Sequence, residues 1–172
     1  FLWRRVKYSM VIDGRTDSWS RSRKFYSFQI HNYMGMKTLV CDHPGAFSYQ
    51  EREIPVLTAD HAIIKIKRIG ICGTDLHAFE GTQPFFSYPR ILGHELAGEL
   101  VAFDNAPGFK IGEAVTFIPY FSDETCIACK SGKANCCSNI KVFGVHIDGG
   151  MSEFVSVPSK YLLHGDGLSF DE

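Results

Sequence analysis

Apolar residues recur along this chain mostly in short runs with a period of two. Met36-Lys37-Thr38-Leu39-Val40, Ala62-Ile63-Ile64-Lys65-Ile66-Lys67, Ala114-Val115-Thr116-Phe117-Ile118 and Phe154-Val155-Ser156-Val157 stand out. Side chains of an extended strand point alternately to its two faces, so this period predicts half-buried strands. Gly70, Gly73, Gly81, Gly93, Gly98, Gly108 and Gly112, with Pro84, Pro89, Pro107 and Pro119, interrupt the chain too often for long helices. The expectation is a mainly β barrel with one short helix over Cys72-Gly73-Thr74-Asp75-Leu76-His77-Ala78. On such a helix Thr74 and His77 are three apart and project from one side of a turn.

The chemistry-bearing residues sit between these runs. Cys72 and the Gly93-His94-Glu95 triplet offer a sulphur, an imidazole and a carboxylate to one metal. Catalytic zinc takes three protein ligands of this mixed kind and keeps a fourth position for water or substrate, whereas a structural site is closed. Downstream, Cys126-Ile127-Ala128-Cys129 is followed by Cys136 and Cys137. A Cys-x-x-Cys pair joined by a later thiolate reads as a closed zinc loop, with sulphurs about 2.3 Å from the metal.

Cys72-Gly73-Thr74-Asp75-Leu76-His77, Tyr88-Pro89-Arg90-Ile91-Leu92-Gly93-His94-Glu95, the Cys-rich loop and Gly144-Val145-His146-Ile147-Asp148-Gly149-Gly150-Met151 follow one another in order. Together they resemble the N-terminal, GroES-like half of zinc-dependent medium-chain alcohol dehydrogenases, the polyol and sugar-acid members most closely. The resemblance runs from about Met36 to the last residue. It implies a partly open β-barrel with a structural-zinc loop. It also implies that Cys72 and His94 bind catalytic zinc, that Glu95 binds or exchanges at the metal, that Thr74 accepts the substrate hydroxyl's proton and that His77 passes it to water. Asp75 is the nearest carboxylate to fix the tautomer of a ligating His94, as second partners of metal-bound imidazoles do. Zinc would lower the pKa of an alcohol hydroxyl while NAD or NADP takes the hydride.

The chain departs from the family pattern twice. Asp123 stands where the structural loop has its first cysteine, so the register makes Cys126, Cys129 and Cys137 the other ligands and Cys136 a bystander. Asp123 then either serves as a harder, more exchangeable fourth ligand, or the loop holds zinc weakly or not at all. Asp104 replaces a glycine expected at a turn, and Asp104-Asn105 can supply that turn because both residues enter the left-handed region readily.

Composition bounds the rest. The 172 residues are 45% hydrophobic, 22% charged and 13% aromatic, which suits one globular domain. The net charge of −1 averages unlike parts: residues 1–35 hold seven Lys/Arg against two Asp, and residues 36–172 hold eleven against seventeen Asp/Glu. Residues 1–35 therefore read as a basic leader that is disordered or non-native, and residues 36–172 as the zinc-binding catalytic domain. An Arg- and Ser-rich leader could be a transit peptide, but a terminus without packing residues reads first as an untethered tail. No stretch approaches the ~18 apolar residues of a membrane span. Six cysteines arranged with His94 and Glu95 fit metal binding in a reducing compartment better than a disulfide framework, so a cytoplasmic protein is expected. Cys41, apart from every cluster, reads as a small buried side chain. Phe79, Phe85, Phe86 and Tyr88 either wall a substrate pocket or fill the core. His31, His43, His61 and His164 read as surface residues, and His146 as surface or cleft.

No Gly-x-Gly-x-x-Gly follows a strand, so no Rossmann domain is expected within this chain. The reading is a catalytic-domain fragment of an oxidoreductase that oxidises a secondary alcohol of a polyol, sugar or sugar acid with NAD(P), inactive alone and truncated where its nucleotide domain would begin. The resemblance implies a homo-oligomer at full length, with a small-molecule alcohol as partner and neither nucleic acid nor membrane. The alternative is a self-contained, non-catalytic zinc-binding module, which would want a basic face if it contacted nucleic acid. A zinc-free reductase relative has no need of Cys72, His94 and the thiolate loop together.

Overall fold

A computed structural model describes residues 35–171; the predicted leader, apart from Gly35, lies outside the described residues. Nine strands and two short helices follow one another: β1 (Met36–His43), β2 (Ala46–Arg52), β3 (His61–Gly70), α1 (Gly73–Glu80), β4 (Glu95–Phe103), β5 (Ala114–Phe117), β6 (Tyr120–Phe121), α2 (Ile127–Lys130), β7 (Lys141–Val142), β8 (Phe154–Pro158) and β9 (Leu162–His164). The period-two runs fall in β1, β3, β5 and β8, as their alternation predicts. The helix begins one residue later and ends two residues later than its predicted span.

Five strands form one antiparallel sheet in the order β8-β3-β4-β5-β9, and β1-β2 and β6-β7 are separate hairpins. The outer strands β8 and β9 do not pair with each other among the described residues, so the barrel is partly open. The β3–β4 register shifts twice, between Ile63 and Ile64 and between Ile66 and Arg68. Such bulges bend and twist a sheet, which curls the long central pair around its core. Ile64, Leu100, Val115 and Val157 are fully buried at its centre, with Phe117 and Phe143 packed edge to face at 5.2 Å. The β1–β2 hairpin attaches through Leu39 N to Met151 O and Cys41 N to Arg90 O, each at 2.8 Å.

The Asp104-Asn105 turn forms, with the left-handed backbone at Asn105 (φ 55°) rather than at Asp104. Asp104 is used otherwise: its carboxylate accepts the Asp60 N–H at 3.0 Å, and Asn105 Nδ2 donates to Asp60 Oδ1 at 2.8 Å. The two turns at that end of the sheet are thereby tied together. A second apolar cluster of Val40, Cys41, Ala78, Ile91, Leu92 and Met151 lies between β1, α1 and the chain that enters β4. This cluster fixes the two segments that carry Cys72 and His94.

Candidate metal centres

Cys72 is the N-cap of α1, with an extended backbone (φ −100°, ψ 171°). The first N–H groups of a helix lack partners within it and are met by cap side chains. Here Cys72 Sγ accepts the Thr74 N–H at 3.2 Å, and Asp75 Oδ2 accepts the Cys72 N–H at 3.1 Å. The reciprocal cap holds the sulphur at the helix mouth. Gly81, left-handed at φ 76°, ends the helix.

The other carboxylate oxygen of Asp75 reaches the second motif, accepting the Gly93 N–H at 3.0 Å. His94 then sets its Nε2 3.0 Å from Cys72 Sγ and its Nδ1 3.7 Å from Asp75 Oδ1. The Nδ1 atom is buried and has no hydrogen-bond partner among the described residues. Ligand atoms of Cys72, Asp75 and His94 lie within 4.8 Å of one another. The segment behind them is close-packed: Gly150 N donates to Gly93 O at 2.8 Å, and Met151 N to Leu92 O at 2.9 Å. A Cβ at Gly149 would come 2.5 Å from Gly93 O, which is why the Asp148-Gly149-Gly150 stretch needs its glycine there. A thiol and an imidazole nitrogen converging on one point, with the imidazole's other nitrogen turned to a carboxylate, fit a borderline-soft ion such as zinc.

The remaining predicted residues of this site lie around that pair. Thr74 is half-buried next to Cys72. His77 is exposed, its Nδ1 lying 3.4 Å from Glu80 Oε2 and 3.2 Å from Thr82 Oγ1. Glu95 is exposed and paired with Gly70, its carboxylate lying over the space a Gly70 side chain would fill, outside the Cys72–Asp75–His94 group. Of the aromatic run, Phe79 stacks on Phe47 at 5.1 Å, Phe86 and Tyr88 pack on the second apolar cluster, and Phe85 is exposed.

In the Cys-rich loop the structure brings together Asp123, Cys126, Cys129 and Cys137, again within 4.8 Å, and leaves Cys136 exposed outside the group. Cys126 and Cys129 are 3.5 Å apart, Cys129 Sγ is 3.4 Å from Asp123 Oδ1, and the Asp123 N–H points at Cys137 Sγ at 3.4 Å. Asp123 Oδ1 accepts the N–H groups of Thr125 (2.9 Å) and Cys126 (3.0 Å), and Oδ2 accepts Asn139 Nδ2 at 2.6 Å. The Asn139 bond, with those two backbone bonds, holds this carboxyl well below the usual carboxylate range. Backbone N–H groups of Cys129 and Ser138 lower the Cys126 thiol to about 7, whereas desolvation and its neighbours push Cys129 up to about 12. Three sulphurs and one ionised oxygen suit a closed tetrahedral zinc.

A third group, Glu113, His164 and Asp166, has no motif in the sequence because its members are up to 53 positions apart. His164 ends β9 and is exposed; its ring stacks on Phe109 at 4.0 Å and its Nδ1 hydrogen-bonds Glu113. His146 is exposed, and its Nδ1 accepts the Val142 N–H at 3.0 Å. Among the described residues no helix is long and apolar enough to cross a membrane.

Residues 58–166 match the alcohol dehydrogenase GroES-like domain. The chain is 52% identical over 134 residues to L-galactonate-5-dehydrogenase of Escherichia coli K12, an alignment covering 77% of this chain and 39% of that protein. Its fold is similar to the crystal structure of the alcohol dehydrogenase RspB from E. coli CFT073 in complex with NADH (TM-score 0.68, 39% identity, 75% of this chain and 38% of that one). It is similar also to galactitol-1-phosphate dehydrogenase from E. coli (TM-score 0.69, 31% identity, 79% and 39%). The chain thus spans about two fifths of the length of the relatives it matches.

Proposed function

The chain belongs to the zinc-type medium-chain alcohol dehydrogenase family through its GroES-like domain, and from that premise we propose that it is the catalytic domain of an enzyme oxidising a secondary alcohol of a polyol, sugar or sugar acid. The observation that carries the proposal is the approach of Cys72 Sγ to His94 Nε2 at 3.0 Å. Bound there, zinc would supply Lewis acidity toward the alcohol oxygen, and NAD(P) would take the hydride. Cys72 and His94 would hold the ion, with Glu95 as an exchangeable carboxylate. Asp75, whose Oδ1 lies 3.7 Å from His94 Nδ1, would orient the ring so that Nε2 faces the sulphur. Thr74 would accept the proton of the substrate hydroxyl, and His77, one helical turn on and open to solvent, would release it to water. Asp123, Cys126, Cys129 and Cys137 would hold a second, structural zinc. The sugar-acid direction is supported by the 52% identity to L-galactonate-5-dehydrogenase.

Cobalt substitution tests this without requiring turnover. The chain loaded with two Co²⁺ should show thiolate charge-transfer absorption, part of it lost in Cys72→Ser and a different part in Cys129→Ser. Adding a sugar acid such as L-galactonate should perturb the Cys72-dependent part alone. A spectrum indifferent to Cys72→Ser would overturn the catalytic-site assignment and leave a non-catalytic zinc module.

A further inference from the structure

We infer that Glu80 is a positioning residue for His77, holding its imidazole as the Nδ1–H tautomer so that Nε2 is the nitrogen free to take a proton; this rests on the proton-release role given to His77 above. A carboxylate is an acceptor only, so a ring nitrogen bonded to it must carry hydrogen. Glu80 Oε2 lies 3.4 Å from His77 Nδ1, at the i,i+3 spacing that makes neighbours on a helix surface. Thr82 closes the arrangement from the turn beyond α1. Its Oγ1 lies 3.4 Å from the His77 carbonyl and 3.2 Å from Nδ1, so a hydroxyl that donates to the carbonyl turns its lone pairs to Nδ1. Glu80 can only accept, Thr82 is free to accept beside it, and the backbone holds Thr82 in place through its N–H bond to the same carbonyl at 3.0 Å.

The consequence is a division of labour between the ring nitrogens. A proton arriving along the Thr74 side adds to Nε2 and makes an imidazolium. Glu80 keeps its hold on the Nδ1–H throughout, and the same Nε2 proton then leaves to water. No proton reaches Glu80, and the ring ends in the tautomer in which it started. Glu80 is the charged group in contact with the ring among the described residues.

Histidine ¹⁵N–¹H long-range NMR on the 172-residue chain reads this directly, with His77→Gln assigning the signal. The expected result is a predominant Nδ1–H tautomer for neutral His77, and a ratio of Nδ1–H to Nε2–H that falls at least about twofold in Glu80→Ala, where the carboxylate acceptor is gone. Glu80→Asp, which keeps the acceptor but shortens the reach, should keep only part of the Nδ1–H preference. A predominant Nε2–H tautomer in the unmodified chain, or an unchanged tautomer ratio in Glu80→Ala, overturns the inference. The unmodified chain alone gives the tautomer, so a variant that folds poorly does not remove the test. The readout needs neither zinc nor NAD(P), so its failure is distinguishable from failure of the cobalt experiment.

Discussion

Replacing Asp75 by alanine should weaken the fold and the metal site together, because one buried carboxylate serves both. Asp75 is 3% exposed and accepts two backbone N–H groups, from Cys72 at 3.1 Å and Gly93 at 3.0 Å. Losing the first removes half of the helix cap, which costs about 1 kcal/mol. Losing the second leaves a buried N–H without a partner, which costs about 1–3 kcal/mol. Together they amount to about 2–4 kcal/mol, a large part of the roughly 5–15 kcal/mol that stabilises a domain. The same substitution removes the group facing His94 Nδ1, and outer partners of ligating histidines are worth about 10–100-fold in metal affinity. Urea unfolding of the metal-free chain reads the first effect, and competition with a chromogenic chelator the second. Asp75→Asn keeps one acceptor oxygen and should recover part of the stability but less of the affinity. A loss below about 1 kcal/mol with unchanged zinc affinity in Asp75→Ala would refute the coupling, since both N–H groups would then be finding water.

Gly149→Ala would drive a Cβ to 2.5 Å from Gly93 O and 2.6 Å from Leu92 O, backbone atoms that cannot swing aside. Overpacking of about 1–3 kcal/mol follows, seen in calorimetry as a fall in Tm of about 3–10 °C, and an unchanged Tm would mean the contact is loose. In the second centre, the metal-free, reduced chain should be alkylated by iodoacetamide near pH 7.5 at Cys126 at least about tenfold faster than at Cys129, since only the former lies near 7. Pulse labelling with mass spectrometry checks this; equal rates would contradict the asymmetry, and added zinc should protect both.

How much of this was legible depended on how local each signal is. β1, β3, β5 and β8 show in the sequence because each is a short apolar run broken by single polar residues, even though Ala62, Ile63 and Ile64 are buried in succession in β3. β4 does not stand out: Leu100, Val101 and Ala102 are buried in succession near a register shift, which breaks the alternation. β2 has no buried residue at all, because its hairpin buries only the β1 strand, so its pattern carries no mark of a buried face. β9 is three residues long and takes its identity from pairing with β5, a contact 45–49 positions away that leaves no trace in local order. Cys72, Thr74, Asp75 and His77 could be read because they fall within six consecutive residues at the start of α1, and His94 because it follows a glycine in a short motif. The Arg52–Asp148–Arg90 cluster and the Glu113–His164 pair could not, because each joins residues distant in sequence.

The first centre shows why a cysteine at this place commits the surrounding sequence. Its sulphur is at once a cap acceptor for Thr74 and the atom facing His94, so the thiol is oriented by the backbone before any ion arrives. Asp75 returns the cap to Cys72 and extends the bond network to Gly93, which is left-handed at φ 90° and pressed against the glycine pair at 149–150. Displacing any one of these moves the others, because each polar group in the chain of contacts has its acceptor in the next. An ion that needs the sulphur and the imidazole together therefore binds a site whose ordering was completed in folding, and its affinity includes little of the entropy that a floppy loop would lose. Serine at position 72 separates the two roles. Its hydroxyl can still cap the helix, so Cys72→Ser should keep nearly all the stability of the metal-free chain while losing the soft ligand. A large destabilisation of metal-free Cys72→Ser would mean instead that the sulphur is held for packing rather than for a metal.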